Sequence, residues 1–153
     1  MSEEWKHASW VSSLGKWAWI IVIINGIIEI IYFIVLISEI AALNASLPPS
    51  FQILIPFWNI WGVIAGVIII LIGYIIIRPK FSEKCATKDW DALYNWFLSI
   101  GDLRIPWMLI WGIILEILSL GWWVGGWGGV VILISALVLI FAGPKPYEWK
   151  VEK

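Results

Sequence analysis

The sequence predicts an all-α integral membrane protein with four transmembrane helices, arranged as two tandem hairpin repeats that are each preceded by a short amphipathic interfacial helix. Three observations predict it: an excess of apolar residues, four long apolar runs, and a resemblance between the two halves of the chain. Of 153 residues, 61% are hydrophobic and 14% charged, more apolar material than one core of this size can hide. The apolar runs extend approximately from Trp17 to Ile37, Pro56 to Ile77, Ile105 to Leu120 and Trp122 to Phe141. Three of them meet the requirement of about 17–25 residues for a helix crossing a hydrocarbon layer about 30 Å thick, and Ile105 to Leu120 comes within a residue of it. None alternates polar and apolar residues with period two, which argues against transmembrane strands.

The helix boundaries follow from proline. Pro56 suits a first turn, whereas Pro79 and Pro144 are expected to follow finished helices. Between the second and third spans, Ala86, Trp90, Leu93, Phe97 and Ile100 fall on one helical face, with Lys88, Asp91, Asn95 and Asp102 on the other. That predicts a surface-lying helix from Thr87, closed by Gly101. The first copy is expected to begin at Ser2 and close at Gly15.

The repeat rests on "WVSSLG" at Trp10 to Gly15 against "WFLSIG" at Trp96 to Gly101, on "GIIE" against "GIILE", and on "RPK" against "GPK". A single membrane domain over residues 1–153 therefore divides into a first repeat, about 2–80, a second, about 87–145, and a tail, 146–153.

Orientation follows from the ten basic residues. Lys6 and Lys16 precede the first span. Arg78, Lys80, Lys84, Lys88 and Arg104 lie between the second and third, and Lys145, Lys150 and Lys153 are in the tail. The other two connections carry none, so a multi-pass protein of the cell membrane with both termini cytoplasmic is expected. The first fifteen residues are of mixed charge and the apolar run after them is too long for a cleavable signal. Most of the 14 tryptophans sit at span ends, as aromatic belts do.

Two acidic residues break the apolar runs. Glu29 lies twelve residues beyond Trp17, about 18 Å along a helix, and Glu116 eleven beyond Ile105, about 16 Å. The repeat makes them counterparts near the bilayer middle, with Asn25 and Tyr32 around the first and Ser119 near the second. No span offers a basic partner. Each acid must be protonated, hydrogen-bonded, or neutralised by a cation or another chain, and these five residues form the candidate polar site. Small residues mark the expected helix-packing faces: Gly62, Gly66 and Gly73 in the second span, and Gly121, Gly125 and Gly129 in the fourth.

Chemistry is otherwise sparse. One Cys, one His and two Met leave no ligand set for a metal, and no phosphate loop or nucleophile with a nearby base is present, so no enzyme, metal or cofactor is expected. A net charge of −1 gives no nucleic-acid surface. The expected partners are the lipid bilayer and other membrane subunits or a second copy. The expected role is that of a non-catalytic accessory or structural subunit, or a self-associating membrane scaffold. The alternative is a small proton- or cation-linked transporter or channel using the paired carboxylates.

Overall fold

The computed structural model describes residues 5–119 and 126–150, and these are mostly helical. Helix α1, Ala8–Ser46, runs unbroken for 39 residues, about 58 Å. A 3₁₀ turn at Pro49–Phe51 leads to α2, Phe57–Ile72, which continues as a π-helical segment, Gly73–Ser82, and then as α3, Glu83–Ala86. The combined rod of 30 residues and α1 are both long and apolar enough to cross a membrane. After α4, Trp90–Tyr94, the strands β1, Phe97–Ile100, and β2, Leu103–Pro106, form an antiparallel hairpin. Helices α5, Trp107–Leu118, and α6, Trp127–Ala142, follow.

Four expectations change. Gly15 does not close a separate interfacial helix; it lies inside α1, where a Cβ would meet the Cys85 Sγ at 2.3 Å, so close packing is its reason to be there. Nor does Pro79 follow a finished helix. The rod widens to π register around it, an adjustment that re-satisfies the carbonyls a proline leaves without a donor. The second interfacial helix is replaced by the single turn of α4 and the hairpin, because the two residues Gly101 and Asp102 make a tight connection between short β-forming runs. Gly101 takes φ +61° there. Finally, α5 and α6 have only 12 and 16 residues, about 18 and 24 Å.

The buried side of α1 is a stripe of Ala8, Val11, Gly15, Ala18, Val22, Asn25, Glu29 and Phe33, spaced alternately by three and four residues except at its end. That spacing keeps one face turned toward neighbouring helices. The rod formed by α2, the π-helical segment and α3 runs antiparallel to α1: Phe33 lies against Gly62, Ile30 against Gly66, Val22 against Gly73, and Gly15 against Cys85. Helix α6 is also antiparallel to α1 but covers only its first half, from Gly128 beside Val22 to Ala142, whose carbonyl accepts from the Trp5 indole N–H. Helix α5 packs on α6. The two pairs are therefore staggered, and Phe33 is the last buried residue along α1.

The core of Val22, Ile69, Phe81, Leu93, Met108, Ile132 and Leu139 lies within the four-helix half. That end also gathers the described basic residues. Lys84 pairs with Asp89, Lys145 with Asp91, and Arg104 with Glu148, while Arg78 stacks over Trp19 and Tyr74. The tail joins the hairpin through a bridge between Leu103 and Lys150 and through the Arg104 N–H, which donates to the Trp149 carbonyl at 2.8 Å. At the opposite end Asn44 brackets the connection to α2. Its Nδ2 donates to the Ile53 carbonyl and its Oδ1 accepts from the Ile53 N–H, both at 2.7 Å.

Candidate functional site

Helix α6 begins where α1 and α5 converge, and its first turn needs glycine twice. Gly128 faces α1, where a Cβ would lie 2.8 Å from a Val22 methyl. Gly129 faces α5, where a Cβ would lie 2.4 Å from Glu116 Oε1 and 2.7 Å from the Gly112 carbonyl oxygen. Two polar side chains reach that turn from opposite sides. Asn25 Oδ1 accepts from the Gly128 N–H at 3.4 Å, and the Glu116 carboxylate lies against Gly129, while the Val130 N–H donates to the Gly126 carbonyl at 3.5 Å. The first turn of a helix carries N–H groups without intrahelical partners and the positive end of the helix dipole. A carboxamide from α1 bonds one of these groups here and a carboxylate from α5 lies beside them, while α6 itself offers only Gly126 as its N-cap.

Glu29 stands apart. It lies one turn beyond Asn25 on the same stripe and is completely buried, and neither carboxylate oxygen has a hydrogen-bond donor among the described residues. Asn25 Nδ2 and Glu116 Oε1 are likewise buried without partners. Tyr32 does not complete the cluster: its ring sits edge-on to Phe33 at 5.3 Å and the residue is 45% exposed. The stripe passes from Glu29 to Phe33, and a residue three positions on falls to the outside of it. Ser119 is buried at the end of α5, where its hydroxyl donates to the Glu116 carbonyl at 3.1 Å.

The two acids are not in equivalent places. Gly26 meets Gly66 in the first pair as Gly112 meets Gly129 in the second, and the residue four beyond, Ile30 in one and Glu116 in the other, packs on the partner glycine. Glu116 thus corresponds in position to Ile30, and Glu29 to the buried Leu115. One residue of register separates the motifs "GIIE" and "GIILE" and turns the two carboxylates to different neighbours.

Gly62, Gly66 and Gly73 all face α1. Gly121 and Gly125 lie outside the described residues. Sequence reasoning did not single out Gly26, although its backbone meets that of Gly66 and a side chain would block the approach. No protein-family model, curated protein or solved structure matches the chain.

Proposed function

We propose that this chain is a membrane-embedded, non-catalytic structural or accessory subunit, or a self-associating scaffold, in which α1 and the α2 rod cross the bilayer and α5 and α6 enter one leaflet only. The observation that carries the structural role is the meeting of α1 and α5 at the start of α6: Asn25 bonds the Gly128 N–H, and the Glu116 carboxylate packs on Gly129. A buried polar group used in this way fixes the packing of neighbouring helices.

The membrane reading draws on the apolar side chains left exposed around both long helices, among them Ile24, Ile28, Ile31, Val35, Ile64, Val67 and Leu71. A water-soluble monomer rarely exposes so much contiguous apolar surface. A hydrocarbon slab that begins at Trp17, where Arg78 and Trp19 meet, extends about 30 Å to Ile37. Gly128 lies at the level of Val22 and Asn25, only about 12 Å into that slab. A Cβ on Gly126 would stand 3.2 Å from the Ser119 Oγ, so the second pair turns back near this depth. Both readings of the second pair, a half-depth hairpin and two further crossings, leave the termini on one side. The distribution of basic residues supports the cytoplasm as that side.

The test uses Asn25→Ala, Glu116→Gln and the double variant, purified in mild detergent. Gln keeps the shape and an acceptor but removes the charge. Weakened thermal stability and altered association with co-purifying subunits or with a second copy are the expected results. Unchanged stability and assembly in the double variant would remove the support for a structural role.

Glu29 favours a second reading. A fully buried carboxyl with no donor is also what a proton- or cation-linked carrier needs, and it is the residue on which transport would turn. Flux of protons or monovalent cations in reconstituted vesicles that disappears in a folded Glu29→Gln protein would replace the structural reading with this one.

A further inference from the structure

An open groove of about 260 Å³ lies between the π-helical segment and α5, lined by Ile75, Ile76, Lys80, Trp96, Trp107 and Trp111. Its aromatic wall is fixed: the Trp107 and Trp111 rings stack at 6.1 Å and 25°, and the Trp107 backbone N–H donates to the Trp96 carbonyl at 3.0 Å. Chain direction gives the groove two different ends. The α2 rod runs toward the basic end, so Lys80 lies one turn nearer that end than Ile75 and Ile76. Helix α5 runs away from it, so Trp107 is the outer ring and Trp111 the inner one.

The polar groups of the lining side chains are all donors. Lys80 is exposed and has no ion pair or hydrogen bond among the described residues, and the three indole N–H groups have no acceptor among them. The neighbouring acids are engaged elsewhere, Glu83 with Arg78 and Asp89 with Lys84. A groove with an ammonium and indole donors at one end and isoleucine at the other matches an amphiphile with an anionic head. A choline headgroup would instead bring a second cation to Lys80.

We propose that this groove seats an anionic phospholipid of the leaflet at the basic end, with its phosphate at Lys80, Trp96 and Trp107 and an acyl chain along Ile75, Ile76 and Trp111. This rests on the membrane reading above. The phosphate accepts from Lys80 and the indoles at the level where a headgroup lies, and the chain covers isoleucine that would otherwise face bulk lipid.

The experiment measures lipid retained by the full chain in mild detergent, by native mass spectrometry, with phosphatidylglycerol and phosphatidylcholine supplied together. Wild type is expected to retain the glycerol lipid selectively, and Lys80→Gln to lose about fivefold in its apparent affinity. Lys16→Gln removes the same charge from a residue placed over Trp17, outside the groove, and is expected to retain lipid as wild type does. Equal retention of the two lipids, equal loss in both variants, or wild-type retention by Lys80→Gln would each overturn the assignment. Displacement by inorganic phosphate alone would do so as well, by showing a site for the anion without its chains. Carbonate-resistant flotation with vesicles reads the underlying premise separately. Protein that floats but does not discriminate sinks only the lipid site, whereas protein that fails to float sinks both.

Discussion

Gly26 and Gly66 meet backbone to backbone: a Cβ on Gly26 would lie 2.6 Å from the Gly66 carbonyl oxygen, and one on Gly66 would lie 2.7 Å from the Gly26 carbonyl oxygen. No side-chain rotation relieves either clash, because the obstruction is main chain. Gly66→Leu is therefore expected to separate α1 from α2 and to cost more than the ~1–3 kcal/mol of ordinary overpacking. Ile64→Leu, on the exposed side of the same helix, should be neutral. Thermal denaturation in detergent compares the two, and equal melting of both variants would show that the crossing tolerates a side chain.

The depth of the second pair is tested by thiol labelling in a Cys85→Ala background. Ser50→Cys, in the exposed turn after α1, should react with an impermeant reagent on intact cells, and Ser99→Cys, exposed on β1, only after the membrane is opened. Trp127→Cys, at the exposed start of α6, should react in neither condition and become reactive in detergent. Labelling of Trp127→Cys from outside would establish two further crossings in place of a half-depth hairpin.

Gly101 has nothing within 4 Å of its Cβ position, so substitution there is a test of conformation alone. Its φ of +61° costs a β-branched residue about 1–2 kcal/mol and asparagine much less. Gly101→Val should loosen the hairpin and raise amide exchange at Leu98 and Ser99, while Gly101→Asn should not. Identical exchange in the two would mean the turn is not held as described.

Tyr94 links α4 to the end of α6 and to the tail, its hydroxyl lying 2.7 Å from the Leu139 carbonyl and 3.1 Å from that of Lys145. Burial holds its pKa above the usual tyrosine value of 10.0, aided by the Asp91 charge. The folded state thus keeps the phenolic proton more tightly than the unfolded state. The corresponding stability is complete below the unfolded value near 10 and is lost as pH rises through the folded value. Proteolysis of the tail should accelerate above about pH 10 in wild type. Tyr94→Phe should be cut faster at neutral pH with a flatter rise, and a rise as steep as wild type in that variant would remove Tyr94 as its source.

The long rods were legible because apolar run length alone separates them from other elements, and so were the glycines of α2. The strands were not read, although "FLSIGDLRIP" carries a two-residue Gly-Asp connection between short β-forming runs. The amphipathic spacing of Trp90, Leu93 and Phe97 fits a helix equally well, and tertiary pairing with the tail decided between them. Pro79 read as a stop because sequence rules describe α-helices, and a π turn changes which carbonyl the ring opposes. The matched acids were misaligned by one residue. Motif similarity tolerates such a slip, and a helix converts it into a rotation of about 100°. The stagger of the two pairs had no signature at all, since hydropathy gives each helix a length and no height.

That stagger gives the molecule unequal girth. In the proposed membrane arrangement, four helices displace lipid from the leaflet at the basic end and two from the other, so the cross-section tapers from one face of the bilayer to the opposite one. Tapered bodies gathered side by side relieve lateral pressure by bending the sheet that holds them, with their broad face on the convex side. In that arrangement, the same half-length hairpin that leaves Glu29 just above the start of α6 would make local crowding of this protein a source of curvature toward its basic face.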